Sequence, residues 1–143
     1  MEFIKKINGI TFLRITLPLL MIINHGLPKL LSYSKKAAYF PDPLHLSSPI
    51  SLALVIFAEF FCSILVTAGL FTRLACMPLI ITMAVAAFIF HADDPFAKKE
   101  MALIFLFVFT TLFFTGSKTW ALGNRFSFKK DGWLGWLLEK DAT

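Results

Sequence analysis

One glutamate lies in the middle of a long apolar run of the sequence. Glu59 is the only charged residue in the run 50–71, ISLALVIFAEFFCSILVTAGLF. A helix over that run would rise about 33 Å, enough to cross the bilayer's hydrocarbon core of about 30 Å. An unpaired charge at that depth costs from about 3 to more than 10 kcal/mol, so the carboxyl must be protonated, paired or in contact with water. Glu59 is therefore the first candidate functional residue.

Three polar residues in the preceding apolar run are predicted to share one helix face. Arg14 and His25 are about three helical turns apart, and Lys29 follows one turn later. Counted from the outer helix ends, His25 is roughly 9 Å deep and Glu59 roughly 13 Å, so their side chains can meet. Arg14, about 10 Å below Glu59, is the rival partner and the stronger charge. We expect Glu59 to pair with His25 or Arg14, and Lys29, near the outer edge, to snorkel to the surface.

A second polar stripe is predicted on the helix that carries Glu59. Ser63 and Thr67 follow Glu59 at intervals of four residues and share its face. Two polar stripes that face each other would form a hydrated or ligand-filled seam. We therefore predict Glu59 and His25 as the catalytic pair. The predicted ligand-binding residues are Arg14, Lys29, Ser63, Thr67 and Arg73.

A structural role is the alternative for each of these residues. Glu59 would then be a protonated acid or one half of an ion pair between helices. His25 would bond a backbone carbonyl freed by Pro28, and Arg14 and Arg73 would anchor the inner membrane face.

Histidine and carboxylates also gather where the third and fourth apolar runs meet. The residues are His91, Asp93, Asp94 and Glu100. A zinc site would favour a histidine pair at H-x-x-x-H spacing, which this cluster lacks. We expect a solvated loop there and predict no metal site.

Composition assigns the chain to the membrane. Of its 143 residues, 57% are hydrophobic and only 16% charged, and the mean hydropathy is +0.74. A spanning helix needs about 20 apolar residues, which leaves no room for a second domain. We predict an all-α fold, a membrane-embedded four-helix bundle that forms a single domain over residues 1–143. The predicted spans are 10–31, 50–71, 74–92 and 98–116, followed by an interfacial amphipathic tail, 117–143, rich in tryptophan and lysine.

The net charge of +5 reports topology rather than a nucleic-acid partner. Its basic residues flank the apolar runs and form no stripe or arm, so the partner they indicate is the lipid bilayer. With both termini in the cytoplasm, nine of the 14 basic residues lie inside and five outside. We predict cytoplasmic termini, and the proline-rich loop 32–49 on the outer side.

The order and spacing of these residues resemble those of the DoxX family of small bacterial membrane proteins. The matching positions are Arg14, His25, Gly26, Lys29 and Glu59, followed by the segment AGLFTR at 68–73. The resemblance implies a four-helix bundle in the bacterial plasma (inner) membrane. Some relatives are linked to redox assemblies, including thiosulfate:quinone oxidoreductase and a complex with superoxide dismutase and a sulfurtransferase. Where the family carries a serine and an aspartate near its end, this chain has Ala121 and Gly123.

Two functional hypotheses follow. The first is a redox-associated subunit that holds a quinone or other lipophilic small molecule near Glu59 and His25 and works with redox protein partners. Its enzymatic role would be at most that of one subunit of a membrane oxidoreductase. The second is a non-catalytic lipid-binding protein or membrane anchor for partner proteins. A homo-oligomer is compatible with either hypothesis.

Overall fold

The protein is built from helices throughout the part that the structure describes. The computed structural model describes residues 8–117, 119–125 and 133–138. We number the α-helical elements in chain order: α1 Gly9–Leu31, α2 Tyr33–Lys36, α3 Ser48–Ala68, α4 Thr72–Phe90, α5 Phe96–Thr115 and α6 Trp133–Leu137. A short 3-10 turn covers Leu122–Arg125.

The ends of the long helices follow from local hydrogen bonding. The side chain of Asn8 caps α1 by accepting a bond from the amide of Thr11 at 2.8 Å. Gly69 ends α3 in the left-handed conformation, with φ of 66°, where glycine has no Cβ to clash. The Leu70 amide then bonds back to the Leu65 carbonyl at 2.9 Å. The chain therefore turns sharply, and α3 and α4 form a hairpin.

Three of the long helices contain a π-helical turn. These turns cover Ile22–Gly26 in α1, Phe57–Cys62 in α3 and Ala86–Phe90 in α4. The first lies directly before Pro28, which has no N–H to donate and whose ring crowds the preceding turn. The Leu27 amide reaches back five residues to the Ile22 carbonyl, so the backbone stays bonded, as a bilayer demands. Such turns are frequent at functional sites.

Small and apolar side chains hold the helices together. The buried core includes Ala58 and Cys62 from α3, Cys76 and Leu79 from α4, and Phe109 from α5. Small residues let helix backbones approach closely, which is the usual basis of packing inside a membrane.

In the described part of the chain, three helices are long and apolar enough to cross a membrane, namely α1, α3 and α4. They correspond to the first three predicted spans. The 20-residue helix α5 coincides with the fourth apolar run and carries Lys98, Lys99 and Glu100 near its start. Thr110 and Thr111 bond the carbonyls of Leu106 and Phe107 within α5, so these hydroxyls are satisfied locally. Much of the predicted interfacial tail lies outside the described residues.

Candidate functional site

A cavity of about 480 Å³ lies between the four long helices. Each helix contributes to its wall, for example Met21 from α1, Leu54 from α3, Val85 from α4 and Phe105 from α5. All three π-helical turns border the cavity: His25 belongs to the first, Glu59 to the second, and Ala86 and Phe90 to the third. We call the end of the molecule that holds this space the cavity end. The size and the mostly apolar lining of the cavity are those of a small-molecule site.

An ion pair between a buried glutamate and a partly buried lysine lies on one wall of the cavity. Lys29 Nζ donates to Glu59 Oε2 at 2.5 Å, and Glu59 is only 5% exposed. Within the described residues, Glu59 has no other polar partner. The expectation that Glu59 pairs with His25 or Arg14 is therefore wrong, and so is the expectation that Lys29 snorkels outward.

The direction of side chains along a helix explains the difference. Cα–Cβ bonds tilt toward the N-terminus of their own helix. Lys29 lies near the C-terminal end of α1, so this tilt aims it back into the molecule, while Glu59 on the antiparallel α3 leans toward the cavity end. Arg14 leans the opposite way, away from Glu59. Close approach of the two backbones at Gly26 then brings Lys29 within reach of Glu59.

His25 is also at the cavity, and its ring nitrogens have no hydrogen bond within the described residues. The edge of its imidazole meets the ring of Phe105, with 5.9 Å between the centroids. Phe105 in turn stacks on Phe109. This contact fixes the ring plane and leaves the nitrogens available to a bound molecule. The alternative that His25 bonds a carbonyl freed by Pro28 is not what the structure shows.

Arg14 and Arg73, both buried, serve the opposite end of the molecule. Arg14 is fully buried and donates to the carbonyls of Val66, Thr67, Thr119 and Trp120 at 2.8 to 3.2 Å. Two of these carbonyls belong to the last turn of α3, where a cation is favoured. Arg14 therefore ties the end of α3 to the chain that follows α5. It does not line the cavity.

Arg73 makes a similar connection. It donates to the Trp136 carbonyl at 2.8 Å, and its guanidinium carbon lies 4.6 Å from the centre of the Trp136 ring, a cation–π arrangement. Trp136 also meets Phe113 edge to face. Arg14 and Arg73, predicted as ligand-binding residues, do not line the cavity, and their contacts hold the C-terminal segment in place.

Of the predicted polar stripe on α3, only Glu59 reaches the cavity. Ser63 is fully buried, and its hydroxyl has no partner within the described residues. The Thr67 hydroxyl donates to the Ser63 carbonyl at 2.8 Å. Of the predicted site residues, only His25, Lys29 and Glu59 border the cavity.

Further cavity residues come from the cluster between α4 and α5. His91 and Lys98 both line the cavity mouth and both contact Asp94, at 2.7 Å and 2.8 Å. These hydrogen bonds, the one from His91 foremost, hold the pKa of Asp94 below its ordinary value. In the described part of the chain, no group of three or more histidine, cysteine or acidic residues is arranged to hold a metal ion. The grouping of His91 and Asp94 in the sequence was the signal that could have placed His91 at the site.

The proline-rich loop between α2 and α3 covers one side of the cavity. Its lining residues are Phe40, Pro41, Pro43, Leu44 and Leu46. Asp42 holds the loop by accepting bonds from the amides of Leu46 and Ser47 and from the Ser51 hydroxyl, at 2.7 to 2.9 Å. The Ser51 bond, the largest cause, lowers the pKa of Asp42. Nothing in the sequence alone indicated that this loop folds back over the helices.

The fold and the apolar helices define a helical membrane protein. A protein-family model described as DoxX matches residues 9–92. That range is more than half of the chain and includes α1, α3 and α4, so the protein belongs to the DoxX family, as the resemblance predicted. Comparisons with curated proteins and with solved structures gave no match.

Proposed function

We propose that this protein is a redox-associated membrane subunit that binds a quinone, or a lipophilic molecule of similar chemistry, in the cavity. The observation that supports the proposal most is the pairing of Lys29 with Glu59 in a mostly apolar cavity that His25 also lines. Buried ionisable residues inside membrane segments mark ligand and proton sites more often than structural ones. A molecule bound in the cavity would contact these three residues, because all three line it.

The chemistry of the wall suits a quinone head group. A quinone is a flat apolar ring with two carbonyl oxygens, which accept hydrogen bonds. The Lys29 ammonium and a protonated nitrogen of His25 are donors on adjacent turns of α1. Phe90 and Phe105 supply aromatic lining. A volume of about 480 Å³ accommodates the head group of a quinone. The position of the quinone's apolar tail is a separate question.

Reduction of a quinone to a quinol takes two electrons and two protons. We propose that the electrons come from a partner redox protein. Among the ionisable groups at the cavity, we assign His25 and the Lys29–Glu59 pair the task of holding and passing on protons, a usual role of histidine and carboxylates in such sites.

The proposal also concerns the membrane arrangement. We propose that α5 is a fourth spanning helix, which completes a four-helix bundle in the bacterial plasma membrane. With the termini in the cytoplasm, the cavity end faces outward. The contacts of Trp136 with Arg73 and Phe113 support an interfacial position for the C-terminal segment, because tryptophan and arginine favour that region.

The test is the quinone content of the purified protein. Wild type, Glu59→Gln and the matched control Glu100→Gln are purified from the same membranes, and bound quinone is extracted and quantified by mass spectrometry. Glu100 is exposed and lies outside the cavity. We expect quinone in wild type and control and a marked loss in Glu59→Gln, with equal helix content by circular dichroism. An empty wild type, or equal quinone in all three proteins, would contradict the proposal.

The anchor hypothesis remains a prediction with its own experiment. Truncation after Gly116 would remove the carbonyls of Thr119 and Trp120 that Arg14 binds and the Trp136 carbonyl that Arg73 binds, so it would disturb the helices as well as the tail. Charge reversal at Lys129 and Lys130, which lie outside the described residues, is the cleaner change. An anchor that uses the basic tail should lose its partner proteins in a pull-down, whereas a quinone-binding subunit should keep its quinone.

A further inference from the structure

The four long helices pack differently at the two ends of the molecule. At the end opposite the cavity, the last turns of α3 contact both α1 and α4. At the cavity end, α1 packs on α3 and α4 packs on α5, while the segment Ser48–Ile56 of α3 makes few contacts with α4. The helices therefore separate into two pairs, and the cavity is the space between them.

One side of this space is closed by aromatic rings. The His25 ring on α1 meets Phe105 on α5, with 5.9 Å between their centroids, and Phe105 is buried. The covering loop closes the cavity from the side of the proline-rich segment, where Asp42 fastens it to Ser51.

On the side between α3 and α4, the cavity lining includes two residues that are more than half exposed. Leu54 on α3 and Ile81 on α4 both line the cavity, yet they are 51% and 59% exposed. Side chains that border a cavity and are also this exposed form the rim of an opening. Ile81 lies midway along α4, nine residues from either end, and so about 14 Å from each helix terminus. The opening therefore faces the hydrocarbon of the bilayer rather than water.

We infer that the ligand is a chain-bearing amphiphile that enters from the bilayer between Leu54 and Ile81 and keeps its apolar chain in that opening when bound. This inference rests on the proposed function, which places the head group of the ligand at Lys29 and His25. It adds that the ligand carries an apolar chain and enters from the bilayer. The head must cross the rim uncharged, because a charge in the hydrocarbon region is costly. A neutral head with hydrogen-bond acceptors and a long apolar chain meets both conditions.

The test fills the opening and compares two ligands. Leu54→Trp and, separately, Ile81→Trp place a large ring at the rim. Controls are Ile64→Trp on α3 and Leu74→Trp on α4, because both residues are exposed and lie outside the cavity. Binding to protein in nanodiscs is measured with a polyisoprenyl benzoquinone and with the same benzoquinone without its chain.

We expect each rim variant to weaken binding of the long-chain quinone by at least about tenfold and to leave the chainless quinone unaffected. The control variants should bind both ligands as wild type does. Equal effects on the two ligands in both rim variants, or no effect in either, would overturn the inference and leave the proposed function standing. A wild-type protein that binds neither quinone would overturn the proposed function and the inference with it. Two rim positions on different helices, each checked for helix content, keep the result independent of one misfolded variant.

Discussion

The backbone of Gly26 lies directly against the peptide of Glu59. A Cβ at Gly26 would come within 2.7 Å of the Glu59 carbonyl carbon and oxygen, a distance that real side chains do not adopt. The two π-helical turns of α1 and α3 meet at this point. This contact sets the separation of the two helices, and with it the reach from Lys29 to Glu59.

Replacing Gly26 by alanine should therefore push the two helices apart. We expect a loss of about 1–3 kcal/mol in the free energy of unfolding, as for other overpacked sites. Gly9→Ala is the control, because a Cβ at Gly9 meets nothing within 4 Å. Unfolding of both variants in detergent, followed by circular dichroism, measures the difference. Equal stability of Gly26→Ala and wild type would show that the close approach is not needed.

Removal of the lysine of the ion pair should destabilise the protein more than removal of both partners. Lys29→Met leaves the Glu59 carboxylate buried without a partner, which we expect to cost about 1–3 kcal/mol. In Lys29→Met/Glu59→Leu no charge is left unpaired, so part of that loss should be recovered. Lys35→Met, at an exposed lysine, serves as the control in the same unfolding measurement. If the double variant loses as much stability as Lys29→Met and Glu59→Leu lose together when measured singly, the two side chains do not form the pair.

The carbonyls that Arg14 binds require a guanidinium. Lysine carries the same charge but has no planar fork that can serve four carbonyls on two segments. Arg14→Lys should therefore release the chain around Thr119 and Trp120, which hydrogen exchange or limited proteolysis would detect as faster exchange or cleavage after Gly116. The exposed control is Lys35→Arg. Unchanged protection of this segment would mean that Arg14 does not hold it.

The loop between α4 and α5 should depend on pH through Asp94. Bonds from His91 and Lys98 hold the folded-state pKa of Asp94 below its ordinary value of 3.8, so ionised Asp94 stabilises the fold. This stabilisation is fully present above the ordinary value and is lost as the pH falls through the lower folded-state value. Asp94→Asn should thus lower the melting temperature at about pH 7, and its difference from wild type should shrink toward about pH 3. Asp93→Asn, at an exposed neighbour, is the matched control variant. A constant difference between Asp94→Asn and wild type across this range would exclude the mechanism.

Much of the helical fold could be read from the sequence because membrane helices are set by length and apolarity. The first three predicted spans fall on α1, α3 and α4. The charge of Glu59 within an apolar run was enough to make it a candidate functional residue. Its partner was missed because depth was counted from Cα positions in ideal helices. That count ignores the tilt of side chains toward the N-terminus, which brings Lys29 to Glu59 and takes Arg14 away.

Contacts between residues far apart in the sequence were not predictable from helix length and apolarity. The sequence places Trp120 and Trp136 far from Arg14 and Arg73, and only the folded chain brings their carbonyls to the two guanidinium groups. The same holds for the loop that Asp42 fastens over the cavity. The π-helical turns were not predicted either, because no spacing pattern in these apolar runs distinguishes a π-helical turn from an α-helical one.

Photolabelling tests the central claim, that the cavity holds a quinone-type ligand, most directly. A photoreactive quinone is bound to the protein in nanodiscs and activated, and the labelled peptides are mapped by mass spectrometry. The proposal predicts label on cavity residues such as His25, Met83 and Phe105, reduced by excess unlabelled quinone and weak in Glu59→Gln. Label confined to exposed residues such as Phe12 and Leu19, and unaffected by competitor, would contradict it.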